Sequence, residues 1–197
     1  LPGLVSDLIR ASVNDISDIR FPSGDKGQVR GFDGVLVCQT GKVFVPKGKS
    51  IWEFGTNQDY KTKASGDFEK RSGEVPSDVQ RETTYVFVSP WTWDSSKKDN
   101  KLEDFVDAQK AAHDWSDVIY IDGSKLQTWF ESCPAVATWH ARNTMQLAPK
   151  VGVRCIDEFW EDFVGRYDPK LVESVLLAGR KANAESLVEQ LMGRPGP

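Results

Sequence analysis

The sequence predicts an α/β fold in which helices flank a mixed β-sheet. Three observations support this class: short β-rich runs alternate with segments of helical periodicity, two adjacent β-rich runs flank a turn, and no internal repeat interrupts this order. At 197 residues with 39% hydrophobic content, the chain is long enough for one domain with a substantial buried core.

The first third of the chain is predicted to open with a helix and to continue into a hairpin. Apolar residues recur at helical spacing over residues 4–13, whereas residues 14–31 are typical of a connection. Two β-rich runs then flank the turn-forming residues 39–42, which predicts a β-hairpin. Residues 50–54 predict a further strand.

The remainder of the chain is predicted to alternate between helix and strand. The predicted helices cover residues 57–71, 99–112, 124–131 and 156–167, and the predicted strands cover residues 83–89 and 118–122. Ser124 is the predicted N-cap of its helix. We expect residues 1–167 to form one domain and residues 168–197 to form a helical extension toward a domain beyond this sequence.

Charge and hydropathy exclude several classes of protein. The 25 Lys and Arg residues against 29 Asp and Glu residues give a net charge of −4, which does not suit a free-standing nucleic-acid-binding protein. No apolar run approaches the roughly 18 to 20 residues of a membrane helix, and a signal peptide is not apparent, so we predict a cytoplasmic protein without a membrane partner. Cys38, Cys133 and Cys155 are widely separated, which predicts reduced, buried thiols.

Two carboxylates interrupt apolar strand sequences, Asp33 and Glu53. A symmetric hairpin register that pairs them centres on residue 43, and paired residues of an antiparallel ladder point to the same face. Buried carboxylates need a cation, and hard oxygen ligands suit Mg²⁺. In the alternative interpretation, Asp33 starts a turn and Glu53 lies on a solvated strand face.

A site that hydrolyses a phosphodiester also needs a cation for the negative charge that develops around phosphorus. Lys61 and Lys63 follow the strand that carries Glu53 and are the candidates. With Lys70 and Arg71 they form a local group of cations that suits phosphate contact, although a solvated helix face explains the same pattern.

Three segments carry a resemblance to a known family: GFDG, then FVPKGKSIWEFGTNQDYKTKASGDFEKR, then TYVFVSPWTW. Their order resembles the core of the PD-(D/E)xK nucleases. More narrowly, it resembles a nuclease-type domain found at the N-terminus of large bacterial anti-phage defence proteins that continue into a STAND-type NTPase. Later segments also look like that family, so the resemblance covers residues 3–180.

The resemblance implies a restriction-endonuclease-like fold and a Mg²⁺-dependent endonuclease that acts on DNA, with Mn²⁺ as a substitute metal. It implies metal-binding and catalytic roles for Asp33 and Glu53, and it implies an additional acid in the first helix, where Asp7 stands. It further implies a downstream NTPase or sensor domain in the same polypeptide and an oligomer on activation.

The sequence departs from the family pattern at Gly55, which stands where the lysine of the acidic-x-lysine pair belongs. A lysine there would share the strand face of Glu53. Either Lys63 or Lys61 supplies this charge from the following helix, with Lys63 favoured because it lies in the most family-like stretch, or the site is impaired. In the second case the chain is a catalytically inactive nuclease-like fold that serves as a protein-binding or sensor module.

Tryptophan is abundant, with seven residues, and exposed aromatic side chains can stack on the bases of single-stranded nucleic acid. Most of the seven are scattered along the sequence and are predicted to pack in the core. Trp91 and Trp93 differ, because they directly follow a predicted strand and would edge an active cleft.

Overall fold

The structure of the chain, a computed structural model, describes residues 1–22, 31–94, 101–145 and 156–192. The chain forms two compact units, Leu1–Leu147 and Ala148–Pro197. The first unit contains the sheet and every candidate site residue that the sequence indicated. The domain division predicted after residue 167 stays a prediction.

Within its described residues, the first unit alternates helices with short strands. Its elements are α1 (Pro2–Ser12), β1 (Ile16–Arg20), β2 (Gly34–Cys38), β3 (Gly48–Phe54), α2 (Tyr60–Glu74), α3 (Ser77–Gln80), β4 (Thr83–Val88), α4 (Leu102–Ala112), β5 (Asp117–Ile121), α5 (Gly123–Ser132) and α6 (Pro134–Asn143). The strands form one sheet in the order β1-β2-β3-β4-β5. The first three strands pair antiparallel and the last three pair parallel, so the sheet is mixed and the predicted α/β class is confirmed.

The hairpin register agrees with the sequence prediction. Gly34 pairs with Trp52 and Cys38 pairs with Gly48, and these pairs centre on residue 43. The prediction of a strand directly after residue 42 is wrong, because residues 39–47 form the connection and contain only an isolated bridge between Lys42 and Val45 among their described pairings. Pro46 cannot donate a ladder hydrogen bond, which prevents the run from continuing as a paired strand.

Side chains of the sheet alternate between two hydrophobic clusters, as the two-residue period of a strand requires. Helices α1 and α5 pack on one face, over a cluster that includes Leu36, Trp52, Val86 and Ile121. Helices α2 and α4 pack on the opposite face, over a cluster that includes Ile51, Phe68, Tyr85, Phe87 and Tyr120. The second face also receives Glu53, which is adjacent to Phe87 in the parallel register.

Two local predictions need correction. Residues 14–31 were expected to be a connection, but Ile16–Arg20 forms the edge strand β1, which pairs with β2 through a bulge. The N-cap of α5 is Asp122 and not Ser124, because the Asp122 carboxylate accepts the Lys125 N–H at 3.0 Å. Cys38 and Cys133 are buried free thiols, as expected, and Cys155 lies outside the described residues.

The described part of the second unit consists of three helices. They are α7 (Ile156–Val164), α8 (Glu173–Leu176) and α9 (Lys181–Met192). Large apolar side chains such as Phe159 and Leu191 are exposed on this unit. None of the helices in the described parts of the chain has both the length and the apolar character needed to cross a membrane.

Candidate functional site

Asp33 and Glu53 meet where β2 begins and β3 ends. Extending the β2–β3 register by one pair sets these two residues opposite each other. The Asp33 carboxylate accepts the N–H of Phe54 at 3.1 Å, which ties the residue before β2 to the last residue of β3. The structure therefore brings the two predicted carboxylates to the same edge of the sheet.

Glu53 is buried, with only 2% of its surface exposed. Its position on β3 turns its side chain toward the sheet face that α2 covers. The alternative interpretation, a carboxylate on a solvated strand face, is wrong for this residue. Since burying a carboxylate requires compensation by a cation or hydrogen-bond donors, the residues of α2 beside Glu53 decide its state.

Arg71 of α2 provides that compensation, and its own burial is nearly complete at 9% exposure. Its guanidinium donates to Glu53 Oε1 at 2.5 Å, to Glu74 Oε2 at 2.7 Å and to the Gly31 carbonyl oxygen at 2.5 Å. It also stands over the Phe32 ring, at 5.1 Å from the centroid. Arg71 thus joins α2 both to Glu53 and to the segment that leads into Asp33.

Lys63 and Asp67 precede Arg71 at four-residue intervals and so share one side of α2. Lys63 Nζ lies 2.6 Å from Asp67 Oδ2. The negative charge of Asp67 also acts on Glu53, where it contributes to raising the pKa of that carboxyl. Of the two predicted lysines, Lys63 is the one whose partner, Asp67, acts on Glu53.

Lys61 is engaged elsewhere. Its Nζ donates to the Asp94 carbonyl oxygen at 3.0 Å and lies 4.4 Å from the centroid of the Trp93 ring. Asp7 is also distant from the other candidates, because it lies on α1, which covers the opposite face of the sheet, and lines a groove with Arg10 and Trp139. The structure does not bring Asp7 together with Asp33 and Glu53.

The electrostatic environment of Glu53 favours its neutral form. Burial raises the pKa of Glu53 to about 7, the Arg71 hydrogen bond and charge oppose this rise, and the charges of Asp33 and Asp67 add to it. Burial is the largest cause of this rise, and the Arg71 guanidinium offsets it only in part. An additional cation near Glu53 would lower the pKa of its carboxyl.

We expect the raised pKa of Glu53 to give stability a specific pH dependence. The unfolded chain loses the Glu53 proton near pH 4.5 and the folded chain near pH 7, so this contribution is complete below pH 4.5 and is lost as the pH rises to about 7. The corresponding decrease in the free energy of unfolding is about 3 kcal/mol. Urea unfolding of Glu53→Gln should lack this decrease, whereas Glu74→Gln, which changes the exposed partner of Arg71, should retain it. Parallel curves for wild type and Glu53→Gln would contradict the assignment.

Each of the two carboxylates keeps one oxygen that receives no hydrogen bond from the described residues. Asp33 Oδ1 and Glu53 Oε2 receive no hydrogen bond from the described residues, while their second oxygens are held by Phe54 and Arg71. Carboxylate oxygens of this kind are ligands that Mg²⁺ takes in proteins, commonly one or two of them together with several waters. A denser group of three or more Asp, Glu, His or Cys side chains suited to a metal is not found among the described residues.

A buried hydroxyl beside these acids is also unsatisfied. Tyr85 Oη is buried on the same sheet face and has no hydrogen-bond partner within the described ranges. Burial, followed by the negative charges of Glu53 and Asp67, raises the pKa of Tyr85, so this phenol remains a proton donor. A buried hydroxyl without a hydrogen-bond partner, close to several carboxyls, is typical of a place where a ligand or a water supplies the missing hydrogen bond.

There is no room for a side chain at position 55. A Cβ atom at this position would lie 2.5 Å from Cζ of Phe87, which is itself buried and stacked on Tyr120 with ring centroids 5.2 Å apart. The resemblance would place a lysine at position 55, where this sequence has glycine. The packing of Phe87 from β4 leaves no room for that side chain. The cation that contacts Glu53 is Arg71 of α2.

Sequence reasoning missed the role of Arg71 and did not single out Asp67. Tyr60, Ala64 and Phe68 recur at four-residue intervals and form an apolar stripe along α2, with Ala64 and Phe68 buried. A second stripe of Lys63, Asp67 and Arg71 runs beside it, and this four-residue spacing was the sequence signal that could have indicated Arg71.

Comparisons with models of protein families, with curated proteins and with solved structures found no match for this chain.

Proposed function

We propose that this chain is a metal-dependent endonuclease domain that hydrolyses phosphodiester bonds in DNA. The observation that carries the proposal is the convergence of Asp33 and Glu53 at one sheet edge, each with an oxygen that no described residue occupies. Restriction-endonuclease-like folding of the mixed sheet is part of the same proposal. The resemblance of the sequence to PD-(D/E)xK nucleases, which is carried by segments that include the same two carboxylates, also supports it.

The residues divide into metal ligands, a cation and a positioning residue. Asp33 and Glu53 would hold Mg²⁺ or Mn²⁺, and a bound divalent ion supplies polarisation of the phosphodiester and an activated water. Lys63 supplies positive charge for the phosphate as negative charge develops. Arg71 fixes the orientation of the Glu53 carboxylate by occupying Oε1, which leaves Oε2 for a ligand.

The larger context of the domain is proposed from the resemblance. We infer that the domain is the effector of an anti-phage defence protein, with a downstream NTPase or sensor domain in the same polypeptide and an oligomer as the active state. The net charge of −4 supports this, because an acidic domain gains little DNA affinity from long-range electrostatics. Delivery of DNA by other domains, or clustering of several copies of this domain, would compensate for the weak DNA affinity. A cytoplasmic location is part of the same proposal.

The test is nicking of supercoiled plasmid by the full chain at high protein concentration, with Mg²⁺, with Mn²⁺ and with EDTA. We expect both metals to support nicking and EDTA to abolish it. Nicking that is independent of metal would overturn the proposed chemistry, and no nicking with either metal would count against it.

The Lys63→Met variant is expected to lower the cleavage rate by about a hundredfold, since removal of one preorganised charge-stabilising group typically has an effect of this size. The matched control is Lys47→Met, which removes an exposed lysine from the connection between β2 and β3 and should leave the rate unchanged. Rates should be compared under single-turnover conditions with Mn²⁺. Equal rates for the two variants would remove Lys63 from the mechanism.

A second candidate function is a catalytically inactive nuclease-like fold that binds protein partners or acts as a sensor. The pairing of Arg71 with Glu53 favours it, because the guanidinium already neutralises part of the acid pair. The exclusion of a side chain at Gly55 also favours it. Calorimetric titration with Mn²⁺ separates the two functions, since the endonuclease requires binding that depends on Asp33 and the inactive fold predicts none.

A further inference from the structure

The loop that follows β4, residues 89–94, is held in place on several sides. The backbone N–H of Trp91 donates to Ser89 Oγ at 3.2 Å, and the N–H of Trp93 donates to Asp122 Oδ2 at 3.0 Å. The Tyr60 hydroxyl donates to the Thr92 carbonyl oxygen at 3.0 Å. We call this segment the aromatic loop. Its contacts fix the backbone before any ligand binds, which lowers the entropic cost of binding.

Close packing against α5 restricts the aromatic loop further. The N–H of Gly123 donates to the Trp91 carbonyl oxygen at 3.0 Å. A Cβ atom at Gly123 would approach the Pro90 carbonyl oxygen to 2.5 Å, so only glycine fits there. The loop therefore lies directly on the first turn of α5.

Trp91 is the exposed aromatic residue of this loop. Its side chain is 40% exposed, whereas that of Trp93 is buried in the cluster with Tyr120. The indole N–H of Trp91 is already used, since it donates to the Thr56 carbonyl oxygen at 2.9 Å. What Trp91 offers to a partner is thus the flat apolar surface of a fixed ring and not a hydrogen-bond donor.

The position of Trp91 connects it to the candidate site. Thr56 is the third residue after Glu53, so the carbonyl that anchors the indole lies within roughly 11 Å of the Glu53 backbone, the reach of three extended residues. The aromatic loop and the carboxylates both stand where the parallel strands end. A nucleic-acid chain held at the carboxylates by a bridging metal ion would have its next bases within range of this ring.

From these observations we propose that Trp91 is a stacking platform for an unpaired nucleobase, and that the substrate of this site is a nucleic acid with single-stranded character. This inference rests on the proposed endonuclease function. A base inside a duplex has both faces covered by its neighbours, whereas an unpaired base can stack on an aromatic ring. Because every base has such a face, this recognition does not depend on sequence.

The test measures binding without cleavage. Fluorescence anisotropy in Ca²⁺ without Mg²⁺ or Mn²⁺, with the full chain, compares labelled single strands of oligo(dT) and oligo(U) with a blunt duplex of the same length. We expect the single strands to bind more tightly than the duplex and Trp91→Ala to weaken this binding by about tenfold or more. Trp91→Phe keeps an aromatic face and should stay within about threefold of wild type. Trp139→Ala, which removes a 55% exposed tryptophan from α6, should have no effect.

Each outcome has a defined meaning. A loss on both single strands, or on one of them alone, supports the platform. Preference for the duplex, equal losses for Trp91→Ala and Trp139→Ala, or no binding to any of the three ligands would overturn it. Thermal unfolding of Trp91→Ala checks that the fold persists, and Trp91→Phe, which lacks the same indole hydrogen bond, separates stacking from loop anchoring.

Failure of this inference is distinguishable from failure of the endonuclease proposal. Metal-dependent plasmid nicking that Trp91→Ala leaves unchanged, together with binding that it leaves unchanged, would overturn the platform alone. Binding of single strands that depends on Trp91, without metal-dependent cleavage of any nucleic acid, would overturn the endonuclease and retain the platform.

Discussion

The Asp33→Asn variant is expected to lose metal-dependent cleavage by at least about a thousandfold. A bound divalent ion contributes several kcal/mol of transition-state stabilisation, and each 1.36 kcal/mol corresponds to a factor of ten in rate. Asparagine keeps the shape of the side chain and an oxygen that can accept the Phe54 N–H, so the turn into β2 should survive. The variant removes the charge that a metal requires and little else.

The measurement pairs single-turnover plasmid cleavage with calorimetric titration of Mn²⁺. We expect Asp33→Asn to weaken Mn²⁺ binding in parallel with the loss of activity. Asp7→Asn is the matched control, because Asp7 lies on the helix that covers the opposite face of the sheet. Cleavage by Asp33→Asn within tenfold of wild type, or an equal defect in Asp7→Asn, would exclude the proposed metal site.

The Arg71→Met variant is expected to lose about 3 to 5 kcal/mol of the free energy of unfolding at pH 8, the typical effect of removing one partner of a buried ion pair. The substitution leaves the Glu53 carboxylate buried without its cation and leaves the Gly31 carbonyl without its donor. Without Arg71 the pKa of Glu53 rises further. The loss should therefore be smaller at pH 5, where the folded chain keeps Glu53 protonated, and should grow as the pH rises.

Urea unfolding at the two pH values provides the measurement, and a second substitution tests its cause. The double variant Arg71→Met with Glu53→Gln should recover much of the lost stability at pH 8, since it removes the uncompensated charge. Arg81→Met is the control, because the ion pair of Arg81 with Asp114 is exposed and such pairs contribute at most about 1 kcal/mol. No recovery in the double variant would show that Arg71 stabilises the fold by packing and not by neutralising Glu53.

The inner strands of the sheet could be predicted because their sequence signal is local. In β4, for example, all six residues from Thr83 to Val88 are buried, and the sequence shows an uninterrupted β-rich run. The edge strand β1 gives a weak signal, since only Ile16 and Ile19 among its five residues are apolar. It exists through pairing with β2, which a local pattern does not reveal.

The wrongly predicted strand after residue 42 shows a different limit. Phe44 and Val45 have strand-like sequence but are placed by tertiary contacts: Phe44 stacks on Trp129 with ring centroids 5.4 Å apart, and Val45 is buried in the same cluster. Their hydrophobicity reflects burial of individual side chains and not a ladder. Sequence patterns report that a residue is apolar, but not which neighbour covers it.

The candidate site was predictable only where it follows from strand register. Asp33 and Glu53 could be paired because the hairpin is local and its centre is defined. Arg71 lies 18 residues from Glu53, and their contact depends on how α2 rotates against the sheet. Periodicity identifies the apolar stripe of that helix, but it does not tell which of the charged residues beside the stripe turns inward.

The contact between positions 55 and 87 restricts the substitutions that this chain can accept. A lysine at position 55 would meet the Phe87 ring, and a smaller residue at position 87 alone would leave a hole beside Tyr120. Neither single change is neutral, whereas the two together compensate each other in volume. Among descendants of this sequence, positions 55 and 87 should therefore change together, and a lysine at 55 should accompany a small side chain at 87.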